Sequence, residues 1–273
     1  MAFLLEPPPQ RGVILPITYE ISRVVADNPT VMTYHGTNTY LIDTNAGFVV
    51  IDPGPNDAEH IDAVVRATAG LVCAILLSHT HPDHLGATAA LKAVTNAPTY
   101  GFRFSADPSF QADVLVDDGD TVAGMLAIHT PGHASDHLCY ARPDGTIFTA
   151  DHIMSWSSSI VSPPGGDMAD YFESLRRILA RDDRLLLPGH GPPLPEPRNH
   201  IQSLLDHRLK RERAILDALT ATPQGTWELV GVLYASKIDP LLRRAAERNV
   251  TAHLLKLQSE HRVTQIGETW SPL

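Results

Sequence analysis

The run Ser78–His84, SHTHPDH, places four transition-metal ligands in seven residues: His79, His81, Asp83 and His84. Imidazole nitrogens and carboxylate oxygens are donors that zinc favours, and iron and manganese accept the same set. Side chains two apart in an extended segment point the same way, so His79 and His81 can grip one ion. Asp83 and His84, where the chain turns into the following helix, face a neighbouring point. Further donors stand at the ends of three later apolar runs. They are His133 in Thr130-Pro131-Gly132-His133, Asp151 after Thr149-Ala150, and His190 in Leu187-Pro188-Gly189-His190-Gly191. Glycine beside each of these two histidines lets the backbone turn sharply and bring the imidazole to the metal. Together these residues supply seven ligands, the number two four- or five-coordinate ions need when they share one carboxylate. Such a centre serves metal-assisted hydrolysis.

The elements that must position these ligands can be read from hydrophobic periodicity. Thr39–Ile42 and Gly47–Ile51 read as strands joined by a Thr44–Asn45 turn, and Asp52–Gly54 stops the second. Helical spacing follows over Ala58–Ala69, then a continuous apolar strand over Val72–Leu77, then a helix over Leu85–Val94. Val114–Val116, Met125–His129, Leu138–Arg142, Thr146–Thr149 and Leu185–Leu187 supply further strands. The Gly189–Pro197 stretch, GHGPPLPEP, is too rich in proline for either regular element and breaks the chain. We therefore expect a catalytic domain over 1–195 and a smaller domain over 196–273. In the latter, Asn199–Leu219 forms a long amphipathic helix and Thr226 caps a second. Pro240–Arg248 and Val250–Leu257 are a third and a fourth, and Val263–Ile266 pairs with Glu268–Trp270 about Gly267. Helices followed by a small hairpin describe a winged-helix-like module, and the whole chain reads as α+β with its strands first.

The charge is uneven. The 273 residues carry 21 Lys+Arg and 31 Asp+Glu, a net charge of −10. Residues 196–273 hold 11 basic and 9 acidic side chains (+2), leaving 10 and 22 (−12) for the rest. An acidic body gathers cations and disfavours nonspecific nucleic-acid binding by the whole surface. No apolar run approaches the ~20 residues that span a bilayer. The start, MAFLLEPPPQRG, lacks the basic residue and apolar core of a secretory signal. Cys73 and Cys139 lie in strand-like apolar runs and read as free thiols, so cytoplasmic residence is expected.

The ordered set of Asp52 (in IDPG), His79–His84, His133, Asp151 and His190 resembles the five motifs of the metallo-β-lactamase superfamily. The resemblance implies a four-layer αβ/βα sandwich with two metal ions, zinc or alternatively iron or manganese, at one edge between its sheets. It implies His79, His81 and His133 on the first ion, Asp83, His84 and His190 on the second, and Asp151 bridging them. Asp52 is similar to the aspartate that supports the ligand loop. Two ions ~3.5–4 Å apart share a water, lower its pKa and present hydroxide to an ester, thioester or phosphodiester. Asp83 can also orient that water, and His137, four residues after His133, can protonate a leaving group from the mouth of the site.

A closer likeness covers nearly the whole chain. Gly36-Thr37-Asn38-Thr39-Tyr40-Leu41, Gly132-His133 with Asp136-His137, His207-Arg208…Arg211-Glu212 and Asn249…His253-Leu254…Lys256-Leu257 resemble one β-lactamase-like group. That group includes a mitochondrial endoribonuclease, and related fungal enzymes hydrolyse acyl-carrier-protein thioesters. The chain departs from it in having His35 for a glutamine, Asn28-Pro29-Thr30-Val31 for NPGP, and Ala150 for a glycine before Asp151. The resemblance implies a small acyl ester or thioester as substrate, or single-stranded RNA. For a nucleic-acid substrate or a regulator, the face carrying Arg208, Lys210, Arg211 and Arg213 would contact phosphates; otherwise it is solvated. Trp156, in the SWSSS loop leaving the metal site, can stack a base or cover an acyl chain, and His152 reads as structural support.

Overall fold

Strands whose alternate side chains are all apolar must be covered on both faces, and two sheets stacked between helices satisfy this. The computed structural model describes residues 3–219, 223–234 and 240–273. One sheet has seven strands in chain order: β1 (Leu15–Pro16), β2 (Ile21–Val25), β3 (Asn38–Thr44), β4 (Gly47–Ile51), β5 (Val72–Leu76), β6 (Thr99–Phe102) and β7 (Val114–Val116). The other has six: β8 (Thr121–Val122), β9 (Met125–His129), β10 (Leu138–Ala141), β11 (Thr146–Ala150), β12 (Leu185–Pro188) and β13 (Leu194–Pro195).

The period of two sorts the side chains. Tyr40, Ile42, Val49, Ile51, Ala74 and Leu76 point between the sheets, where they meet Leu138, Tyr140, Phe148 and Leu187. Their neighbours Leu41, Val50 and Ile75 point outward onto α1 (Ala58–Ala67) and α3 (Thr88–Thr95), through Ala63, Val64 and Leu91. On the far side Cys139, Ala141, Ile147 and Leu186 point onto α4 (Met168–Leu179) and α5 (Arg198–Ala218). Helix, sheet, sheet, helix: the four layers expected are the four layers found.

Several elements differ from the sequence reading. The helix expected over Leu85–Val94 is two, α2 (Pro82–Leu85) and α3, so Asp83 and His84 are themselves helical. Helix α4 was not foreseen. Asp167 caps it by accepting from the Ala169 and Asp170 amides, and Met168, Tyr171, Phe172, Leu175 and Ile178 are buried along one face. The third and fourth tail helices are one, α7 (Pro240–Ser259). With α6 (Thr226–Tyr234) and a small sheet of β14 (Gln224–Gly225), β16 (Thr269–Pro272) and β15 (Val263–Ile266), it forms the winged-helix-like module.

Helix α5 belongs to two cores. Its first half places Ile201, Leu204 and Leu205 on the face of α4. Its second half places Ile215, with Leu219 just beyond, among Leu229, Val250, Leu254 and Trp270 of the module.

Candidate metal centre

All seven donors meet where strands β5, β9, β11 and β12 end. His81 Nδ1 lies 2.9 Å from His79 Nε2 and 3.0 Å from His133 Nε2. Asp83 Oδ2 lies 3.3 Å from His190 Nε2 and 3.6 Å from His84 Nε2. Asp151 stands between the two groups with its oxygens divided. Oδ2 is 3.5 Å from His133 Nε2, whereas Oδ1 is 3.5 Å from His84 Nε2 and 3.4 Å from His190 Nε2. Donors ~2.0–2.1 Å from a tetrahedral ion sit ~3.3 Å from one another, so these spacings match the edges of two coordination shells.

The outward nitrogens are held. His84 Nδ1 donates to Asp52 Oδ2 at 2.8 Å. Asp52 also accepts from the Ser78 amide at 2.8 Å and the Ser78 hydroxyl at 2.7 Å. With its proton given to Asp52, the Ser78 oxygen accepts from His79 Nδ1 at 2.9 Å. His133 Nδ1 donates to the Ile160 carbonyl at 2.7 Å, and His190 Nδ1 to that of Gly36 at 3.2 Å. Each of these rings therefore turns Nε2 inward, the nitrogen a metal would take up in place of its proton. Thr80 donates to Asp136 at 2.6 Å, and Asp136 also accepts from the Ala106 amide, which braces the ligand loop from outside.

Two glycines are obligatory. Gly132 has φ +138°, and a Cβ there would lie 2.4 Å from the Tyr171 Cα. A Cβ on Gly189 would lie 2.6 Å from Asp151 Oδ1 and 2.8 Å from the His84 ring. Ala150, by contrast, holds φ +39° with a side chain, at the position where the resemblance implied glycine.

The site wants cations. Among the described residues, His84 Nε2, His190 Nε2 and Asp151 Oδ1 are buried without a hydrogen-bond partner. Burial opposes charge on His84, yet Asp83, Asp151 and Asp52 hold its pKa well above the ordinary histidine value. Burial opposes charge on His190 too, but Asp151 and Asp83 raise its pKa to about 9. On the other side, burial and then the neighbouring imidazoles hold His79 well below its usual value. Burial and then His133 bring His81 to about 4. Neutral imidazoles gathered on one side, and carboxylates asking for positive charge on the other, suit a metal pair.

Comparison with known proteins agrees with this geometry. The sequence profile of the Metallo-beta-lactamase superfamily matches residues 32–114 and 101–190. The chain belongs to that superfamily. Residues 226–270 match the Beta-lactamase associated winged helix domain. The Beta-lactamase-like protein 2 homolog of Drosophila melanogaster is 29% identical, over 89% of each chain. The Atrochrysone carboxyl ACP thioesterase of Aspergillus fumigatus is 32% identical, over 77% of this chain and 67% of that one. A crystal structure of a Beta-lactamase domain protein from Burkholderia ambifaria shares the fold, with a TM-score of 0.83 at 20% identity. It covers 97% of this chain and 95% of that one.

Five of the donors, His81, Asp83, His133, Asp151 and His190, form the floor of a cavity of about 290 Å³, walled by Met32, Met154 and Ile160, with the exposed Arg248 of α7 also in its lining. His137 is not at its mouth. It is completely buried, stacked on His79 with ring centroids 5.1 Å apart, and its Nδ1 lies 2.9 Å from the Thr130 hydroxyl. A side chain enclosed behind a ligand cannot reach a leaving group, so His137 supports His79 instead. His152 is likewise buried, edge-on to Tyr171. Trp156 stacks on Tyr34 at 4.8 Å. The basic face expected on α5 is not a face. Arg208 is buried, bonded to Asn249 and the Ser159 carbonyl, and Arg211 lies over the Tyr234 ring, leaving Lys210 and Arg213 exposed. The sequence reading did not single out Ser78 or Arg248; adjacency to His79 was the available signal for Ser78.

Because Asp52 steadies one ligand of each group, Asp52→Asn should weaken metal binding by roughly 10–100-fold with the fold intact. Competition against a chelator, with circular dichroism as control, measures this; unchanged affinity would remove Asp52 from the ligand scaffold.

Proposed function

We propose that this chain is a binuclear metal-dependent hydrolase acting on a small acyl ester or thioester. The observation that carries the reading is Asp151, one of whose oxygens faces His133 while the other faces His84 and His190, within adjoining groups of ligand atoms at one cavity. His79, His81 and His133 would hold one ion, Asp83, His84 and His190 the other, and Asp151 both. Zinc suits this donor set best, and iron or manganese is accepted by it. When bound, the pair supplies an activated water at neutral pH and polarises the scissile bond. The chain's own work is to hold the imidazoles of His79, His84, His133 and His190 by their outward nitrogens, to wall the site with Met32, Met154 and Ile160, and to keep Asp83 beside the pair. There Asp83 can orient the attacking water and take up its proton.

The acyl substrate is preferred over RNA for a structural reason. Arg208 and Arg211, two of the four side chains from which a phosphate-binding face would be built, are engaged inside the protein. The thioesterase named among the relatives supports the same choice. Two free cysteines suit a reducing compartment, and we place the enzyme in the cytoplasm. Among the described residues, no helix is long and apolar enough to cross a membrane.

The test is to assay the metal-loaded protein against acyl thioesters, single-stranded RNA and a β-lactam, with elemental analysis alongside. We expect close to two ions per chain and turnover of thioesters. Metal-dependent cleavage of RNA alone would overturn the acyl reading. A folded protein that takes up no transition metal would overturn the hydrolase reading altogether.

A further inference from the structure

Helix α7 does more than close the winged-helix-like core. Asn249 on it is buried, and its side-chain oxygen accepts from the Val161 amide at 3.1 Å and from Arg208 at 3.0 Å. This pins the helix to the loop that carries Ile160, whose carbonyl holds the ligand His133. The residue before it, Arg248, is thereby set in the wall of the metal cavity. Among the described residues, Arg248 makes no ion pair or hydrogen bond, although two carboxylates, Asp83 and Asp151, stand on the floor of the same cavity. Three nearby arginines are spent on the protein: Arg208 on Asn249, Arg211 on Tyr234, and Arg243 on the Trp227 ring at 4.1 Å. Arg244, one turn earlier on α7 and exposed, does not line the cavity; Arg248 does.

A second cavity, of about 280 Å³, adjoins the first and shares with it the walls Met32, Met154 and Ile160. Its lining takes in α7 again, through Leu242, Ala245 and Ala246, and α5 through His207, Arg208 and Arg211. Two methionines at the junction can shift to admit chains of different shape, and the two alanines leave room behind them. A guanidinium without a protein partner among the described residues, lining the metal cavity next to a largely apolar chamber, describes an amphipathic ligand.

We infer that α7 completes the substrate site: Arg248 binds a carboxylate or phosphate on the substrate, and the adjoining chamber takes its acyl chain. The guanidinium fork matches either anion with two parallel hydrogen bonds, and enclosure by the bound substrate strengthens them. This assignment rests on the acyl-hydrolase reading above. It adds that the substrate is anionic and bears an apolar chain, and that the module selects it.

The experiment compares acyl thioesters that carry a carboxylate, a phosphate or a neutral amide on the leaving arm, each with acetyl and dodecanoyl chains. Arg248→Ala should raise KM for the anionic members ~10–100-fold more than for the amide twin, with Arg248→Lys recovering part of the difference. Whichever of carboxylate and phosphate loses more identifies the anion. Ala246→Trp should reverse a preference for dodecanoyl over acetyl by filling the chamber. Calorimetry with non-hydrolysable thioether analogues reads the same differences without turnover. A protein that binds the analogues through Arg248 but turns over nothing would count against hydrolysis and leave the subsite standing. Equal penalties for charged and neutral arms, an unmoved chain-length preference, or displacement of the analogue by single-stranded RNA would overturn the subsite.

Discussion

Asp151→Ala should lower turnover by at least ~10³-fold while the fold survives. The substitution takes away a carboxylate whose two oxygens face both sets of ligands, 3.5 Å from His133 on one side and 3.4 Å from His190 on the other. Two divalent ions would then share a pocket without the anion between them, and their repulsion would expel one. Elemental analysis should fall from about two ions towards one, because His79, His81 and His133 remain as a set of three. Asp151→Asn, which keeps the shape and one acceptor oxygen, should lose most of the activity as well. Near wild-type turnover in either variant would show that Asp151 is not the bridge.

Deleting residues 196–273 should leave no soluble, folded catalytic half. Ile201, Leu204 and Leu205 lie between 1% and 7% exposed on the face of α4 formed by Tyr171, Phe172, Leu175 and Ile178. Each buried aliphatic side chain contributes ~1.5–3 kcal/mol, so these three alone approach the ~5–15 kcal/mol that holds a typical domain folded. The deletion also strips Asn249 from Val161 and Arg208 from Ser159, and so loosens the loop behind His133. A soluble 1–195 fragment with a cooperative melt near that of the full chain would refute this. Replacing Arg208 alone is a milder version of the same damage. It leaves Asn249 and a buried carbonyl short of a donor, and should lower stability rather than pass unnoticed as a change of surface charge.

The ligand set was legible because metal ligation needs particular residue types, and those types are rare in one loop. Strand-ending turns around Gly132 and Gly189 were visible for a similar reason, since only glycine fits there. The sandwich was implied by the family resemblance, whereas runs such as Val72–Leu77, apolar on both faces, show by themselves only that strands are buried. What escaped has physical causes. Helix α4 carries a clear pattern, Met168, Tyr171, Phe172, Leu175 and Ile178 behind the cap Asp167, but the run Pro163-Pro164-Gly165-Gly166 before it reads as loop and drew attention away. Helix α7 was divided at Asn249, a poor helix former that is stabilised here by tertiary hydrogen bonds and by its own bond to the Ala245 carbonyl. The sequence reading puts Arg208 on a surface face, solvated or contacting phosphates, although it falls on the stripe of Ile201, Leu204, Leu205, Glu212 and Ile215 that the helix buries. Its charge argued for water; its position argued for the interior, and a ring, an amide and a carbonyl were waiting there.

The double membership of α5 bears on how the chain is made. A ribosome delivers α4 with its aromatic face complete well before α5 exists to cover it, and before α7 arrives to add Ala252 to the same cluster. Until then the nascent catalytic half exposes Tyr171, Phe172 and Leu175 to solvent and to other chains. The catalytic half therefore completes its packing only after α5 and α7 have emerged, and until then its apolar helix face is open to aggregation. Chains stalled on the ribosome after residue 195 should be cut readily by protease, whereas those that include residues 196–273 and have left the ribosome resist it. An apparent two-domain protein is in this respect synthesised as one.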